Sequence, residues 1–185
     1  MKRTFIALDI PLTADTRIFL EEVKKRFDNP GMKWVNFENM HLTLHFIGDT
    51  PLEQEHEIVR LLEEIIPEFS VFELSLKGLG IFPHKKNPRV GWLGVEDEPV
   101  LANLQQALNH KLPDAGVSVE SRIFVPHLTF VRLKHNRKHI AFMQFVRKNA
   151  KRSFHSVLID SVKYYASELT PTGAVYTLIR SFTLG

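Results

Sequence analysis

The chain has no cysteine among its 185 residues, which excludes disulfides, a thiolate nucleophile and any cysteine-ligated zinc. It also lacks long apolar runs. The first, Phe5-Ile6-Ala7-Leu8, is broken by Asp9 and Pro11 and is too short for a secretory leader. The others are interrupted by charge, so no segment reads as a membrane span. The expectation is a soluble, cytoplasmic protein with no membrane partner. Acidic residues are scarce in one region. Residues 121–185 hold 2 Asp/Glu against 11 Lys/Arg, whereas residues 1–120 hold 19 against 13. What is present is ordinary for a globular chain, 44% hydrophobic and 24% charged, which excludes a disordered or collagen-like polymer. The length suits one domain, able to bury roughly 70% of its unfolded surface without help from metal or cross-link.

Between Ser121 and Ile159 there are nine basic residues and no acidic one. Such a stretch favours a polyanionic partner, nucleic acid first among them. A solvated basic helix face accounts for it equally well.

Hydrophobic periodicity predicts strands at 3–10, 40–47, 70–79, 89–95, 122–133, 154–165 and 174–182. It predicts helices at about 13–27, 52–66, 98–112 and 136–150, with Thr13 and Thr50-Pro51 as start signals. An offset of about 85 residues lays the helix near 13–27 on that near 98–112. The same offset lays the strand at 40–47 on the one near 126–133, and the helix at 52–66 on the one near 136–150. The pattern is that of an internal duplication. The fold class expected is α+β. Residues 1–185 would form one domain of two pseudo-symmetric lobes, with two antiparallel-rich sheets facing a central cleft and the helices outside.

One short string repeats. His41-Leu42-Thr43-Leu44 recurs as His127-Leu128-Thr129-Phe130, 86 residues later. Side chains alternate faces along a strand, so each His and its Thr project together while the apolar neighbours enter the core. If the lobes are related by a twofold, the two His-x-Thr faces oppose each other across the cleft. Imidazoles titrate near neutrality, so one serves as base and the other as acid, and two threonines offer neutral hydrogen bonds to an anion between them. Phosphodiester cleavage fits such a pair, because one proton leaves the nucleophile as another reaches the departing oxygen. A lone half-buried strand histidine is usually structural; two copies in equivalent halves reverse that.

These residues resemble the two-histidine phosphoesterases, and within them the RNA 2′,3′-cyclic phosphodiesterases formerly named 2′-5′ RNA ligases. The likeness covers nearly the whole chain. It includes Arg3-Thr4-Phe5-Ile6-Ala7-Leu8, the run from Trp34 to Gly48, Gly80-Ile81-Phe82-Pro83, Pro88-Arg89-Val90 with Trp92, the run from Phe124 to Arg132, and Ser167-Glu168-Leu169 with Gly173 and Tyr176. The resemblance implies a bilobal, cofactor-free and metal-free enzyme acting on the 2′,3′-cyclic phosphate at an RNA or oligonucleotide end; a monomer is expected. His41 and His127 would be catalytic, and Thr43, Thr129 and Arg132 would hold the phosphate. His127 is taken as base and His41 as acid. Strict alternation puts Arg132, five residues after His127, on the wrong face, so it must lie past the strand end or beyond a bulge. Departures from the family pattern are Phe130 for Leu, Ile47 for Leu, and Gly91 for a large aliphatic residue.

Rival readings are 2′-5′ RNA ligation by the same site, a noncatalytic RNA-binding module, and a metal-dependent phosphohydrolase. The last is disfavoured by the scarcity of carboxylates near both motifs. His45 shares the face of His41 by alternation, yet reads as a surface residue near the strand end. His135 and His139 have metal-ligand spacing but stand among Lys134, Arg137 and Lys138, which repel a cation. The loop His84–Arg89 is basic and turn-rich, and Phe5 and Trp34 read as packing rather than as stacking platforms. His56, His110 and His155 carry no signal.

Overall fold

Segments with a period of two form strands and those with a period near 3.6 form helices. The computed structural model describes residues 2–84, 87–119, 123–134, 139–171 and 173–185. Among the described residues the chain runs β1 (Lys2–Asp9), α1 (Ala14–Phe27), β2 (Met32–Trp34), β3 (His41–Thr50), α2 (Leu52–Ile65), β4 (Phe72–His84), β5 (Asn87–Val95) and α3 (Pro99–Lys111). It continues through β6 (His127–Leu133), α4 (Ile140–Lys148), β7 (Ser153–Ile159), β8 (Ser161–Thr170) and β9 (Gly173–Thr183).

The strands form one curled sheet in the order β7-β4-β5-β6-β3-β1-β8-β9, with β2 beside β6. Every pairing is antiparallel. The two expected antiparallel sheets are halves of this one sheet, β7-β4-β5-β6 and β3-β1-β8-β9. They meet where β3 touches β6 through the single pair Leu42↔Leu128. Further along the same edge of β6, β2 takes the place of β3. In this order β1 and β5 stand next to the two seam strands, one on each side of the join.

Two local expectations give way. The segment 154–165 is not one strand: it breaks at Asp160, so that β7 pairs with β4 in one half while β8 pairs with β1 and β9 in the other. Thr50 does not cap α2, which has Pro51 at its N-cap and no side-chain cap bond. The Thr50 hydroxyl is turned inward, into a buried chain in which Tyr164 donates to Thr4, Thr4 to Thr50 and Thr50 to the Gly48 carbonyl. Thr13 does cap α1, accepting from the Thr16 backbone N–H, a bond typically worth about 1 kcal/mol.

The helices cover the sheet face that carries Leu42, Leu44, Leu128 and Phe130, all at most 3% exposed. α1 follows β1 of one half yet packs on the other half's helix, with Phe27 between Phe142 and Phe145 of α4. α3 likewise sits against β3, and the turn that follows it, Leu112–Ala115, sits against α2. The helices thus tie the halves together where the backbone seam is a single pair. No helix among the described residues is long and apolar enough to cross a membrane.

Candidate active site

β3 and β6 are neighbours, so the two repeated strings lie side by side at the seam. Their burial patterns match residue for residue over six positions: half-buried, buried, half-buried, buried, buried, exposed. The first four are simple alternation, with His41, Thr43, His127 and Thr129 on one face and the apolar residues on the other. At the fifth the alternation fails. β3 shifts register against β1 between Ile6 and Ala7, whose partners are His45 and Thr43, which leaves Leu44 as the extra residue of a bulge. β6 shifts against β5 between Gly91 and Trp92, whose partners are Val131 and Thr129, which leaves Phe130 extra. A bulge inverts the face of everything beyond it.

Two consequences follow from those bulges. Arg132 is carried onto the face of His127 and Thr129. His45 is carried off it: the histidine is 6% exposed, with Nε2 3.3 Å from the Ser118 carbonyl. It is neither a surface residue nor a companion of His41. The position five residues after His41, matching Arg132, is Phe46.

His41, Thr43, Phe46, His127, Thr129 and Arg132 all line one cleft of about 690 Å³. All five residues expected at the site are therefore brought together. The opposite walls come from the tip of the β8–β9 hairpin and from Lys33 through Asn36. Arg3, Lys33 and Arg132 are its cations, and no carboxylate is among the described lining residues. The interior is therefore electropositive and suited to an anion. Arg3 also stacks over the Phe46 ring, 5.3 Å from its centroid.

The two rings are mounted in the same way. His41 Nδ1 lies 2.8 Å from the Asn39 carbonyl and His127 Nδ1 lies 2.7 Å from the Val125 carbonyl, each two residues upstream. A carbonyl only accepts, so Nδ1 carries the hydrogen in both and Nε2 is the nitrogen offered to the cleft. Aromatic side chains brace each ring. Phe5 lies 4.8 Å from His41 and Tyr176 meets it edge-on at 5.1 Å. Phe82 stands perpendicular to His127 at 4.7 Å, with Trp92 beyond it. Burial holds both imidazoles below their ordinary value of 6.5, and the Arg132 guanidinium acts in the same direction on both. The carbonyl acceptors oppose that, as does Asp9 at His41. Burial also pushes the Tyr176 phenol up, so it stays neutral.

Other candidates fall elsewhere. Phe5 is 3% exposed and serves as packing under His41. Trp34 is half-buried, lines the cleft and donates from Nε1 to Asp28. His155 fixes the start of α1, with Nε2 donating to the Pro11 carbonyl and Nδ1 accepting from Thr16. His135, Arg137 and Lys138, together with Arg122, Lys85 and Lys86, lie outside the described residues. His139 is buried at the start of α4. Lys33 and Phe46 escaped sequence reasoning, the first because a three-residue strand carries no readable period, the second because the bulge hid its face.

The sequence pattern of the 2′-5′ RNA ligase superfamily matches residues 12–166. The chain is 37% identical over 183 residues to the RNA 2′,3′-cyclic phosphodiesterase of Thermotoga maritima, covering 96% of this chain and 92% of the relative. It is 36% identical over 169 residues to that of Aquifex aeolicus, covering 89% of each. Among solved structures, Escherichia coli LigT complexed with 3′-AMP superimposes with a TM-score of 0.76 at 25% identity, over 99% of this chain and 98% of that one. With a paired His-x-Thr cleft, a family pattern spanning most of its length and near full-length relatives, this chain belongs to the 2′-5′ RNA ligase superfamily.

Proposed function

We propose that the protein hydrolyses the 2′,3′-cyclic phosphate at an RNA end to a 2′-phosphate, by acid–base catalysis between two histidines and without metal or cofactor. One observation carries the reading: two imidazoles with the same nitrogen exposed face one cationic cleft from adjacent strands. The names of the relatives support the substrate class.

In the reaction His127 Nε2 takes a proton from water as the water oxygen bonds to phosphorus. The P–O3′ bond breaks on the opposite side, and His41 Nε2 gives its proton to O3′. The products are a 2′-phosphate and a 3′-hydroxyl, with the proton exchanged between the two rings. The hydroxyls of Thr43 and Thr129 and the guanidinium of Arg132 bear the charge gathering on the non-bridging oxygens. Neutral rings at rest suit the base directly, and the acid draws its proton from the small protonated fraction or from the anionic substrate's pull on it.

The test is product analysis on a 2′,3′-cyclic dinucleotide in the presence of chelator. The expected product is the 2′-phosphate alone, and His41→Ala and His127→Ala should each lower turnover about 10²- to 10⁴-fold. Near-normal turnover by either variant would overturn the mechanism. Loss of activity in chelator would overturn metal independence. Tight binding without turnover would make this an RNA-binding module instead.

A further inference from the structure

The two motif strands differ in what stands opposite each histidine. β1 places Asp9 across from His41, whereas β5 places Gly94 across from His127. Residues paired across an antiparallel ladder share a face, with Cβ atoms about 5 Å apart. Phe5, Ala7 and Asp9 pair in turn with Phe46, Thr43 and His41, so Asp9 projects on the cleft side, beside the His41 ring. Opposite His127 no side chain fits. A Cβ on Gly94 would run into the Lys77 carbonyl oxygen and would come 3.0 Å from the Trp92 ring.

The carboxylate is also held in place. The Tyr165 hydroxyl donates to both its oxygens, at 2.8 and 3.0 Å. The Tyr165 ring stacks on Phe5, 5.4 Å between centroids, and Phe5 in turn lies against His41. Asp9 does not take the Nδ1 hydrogen, which goes to Asn39. It acts through space, by the charge it sets beside the ring. The other charged or titratable groups on that side are Arg3 on β1, Lys33 on β2, His127 and Arg132 on β6, Tyr165 on β8 together with Lys163, which pairs with Ala7 and donates to Ser181, and Tyr176 on β9. Arg132 and His127 oppose a positive His41. Among the described residues Asp9 is the one carboxylate that favours it.

We infer that Asp9 is a positioning residue that commits His41 to the role of proton donor and leaves His127 as the acceptor. The inference rests on the two-histidine reading above. The matching His-x-Thr groups do not by themselves divide the work in a fixed sense, and this side chain supplies a bias towards one. Asp9 neither gains nor loses a proton in the cycle. Its charge keeps a larger fraction of His41 protonated, and the rigid Tyr165–Phe5 stack holds that charge at a constant distance.

The experiment is Asp9→Asn, which keeps the shape and the Tyr165 contact but removes the charge. The rings are titrated separately by NMR of nitrogen-labelled histidine, and kcat/KM on a 2′,3′-cyclic nucleotide is followed against pH. His41 should titrate at lower pH while His127 is unmoved. The high-pH limb should move down with it, so that kcat/KM at pH ~8 falls about 3- to 10-fold while the low-pH limb stays. Asp9→Glu should restore the limb in part, and Tyr165→Phe, which frees the carboxylate, should move it the same way by less. Should Asp9→Asn fail to fold, the Tyr165→Phe titration decides. An unmoved His41 midpoint, a shift of the low-pH limb instead, or an equal loss at every pH would overturn the inference. Those outcomes are distinct from failure of the two-histidine reading, which would show as turnover surviving His41→Ala in the wild-type background.

Discussion

The paired residues of the cleft were legible because a strand has period two. His-x-Thr puts both functional groups on one face by geometry alone, and recurrence in a second strand-like context separated it from a structural histidine. His45 was not legible, because the bulge that buries it depends on how β3 registers against β1, which β3's own letters do not state. The same residues have a stability consequence. Burial depresses both imidazoles in the folded protein, so the unfolded chain binds their protons more readily. Their contribution is therefore fully present above the ordinary histidine value of 6.5 and is lost as pH falls towards the depressed folded values. The urea midpoint, followed from pH ~7.5 downward through ~5, should decline, and the decline should be shallower in the His41→Ala, His127→Ala double variant.

At the scale of elements, two departures from the family pattern turn out to be one packing exchange. A side chain on Gly91 would meet Val131 Cγ1 at 2.6 Å, the Phe142 ring at 3.2 Å and the Phe130 ring at 3.3 Å. The larger residue at 130 reaches towards space that the missing one at 91 leaves open. Gly91→Ala should therefore destabilise by about 1–3 kcal/mol through overpacking. Phe130→Leu in the same chain should recover part of that, giving a coupling of about 0.5 kcal/mol or more in a double-mutant cycle read by urea unfolding. Additive losses would show that the two sites pack independently. The family resemblance marked both residues as unusual, but only the space around Gly91 shows why they belong together. The break at Asp160 was hidden for a related reason. β7 and β8 are both good strand sequence, and the partners that separate them, β4 and β1, lie far off in the chain.

Over the whole molecule, charge read along the sequence and charge read in space disagree. The basic stretch 121–159 contributes Arg132 to the cleft, while Arg152 is spent stacking over Phe19 at 4.2 Å in a separate depression that also contains Asp15 and Glu22. The other cleft cations, Arg3 and Lys33, come from the region with net negative charge. No window along the chain reveals them, because the cleft is assembled from segments that only the sheet order brings together. For oligonucleotide substrates, Lys33→Ala should weaken apparent affinity and reduce the slope of log affinity against log salt by about 1. Lys148→Ala and Lys151→Ala should leave both unchanged. Equal effects at all three positions would return the basic stretch to a role in substrate holding.

The acceptors that orient the two cleft imidazoles are peptide oxygens, those of Asn39 and Val125. A replacement at either position changes a side chain and leaves the oxygen where it was. Evolutionary drift can thus retune charge and shape around this cleft, but the choice of which ring nitrogen faces it is inherited with the main chain itself.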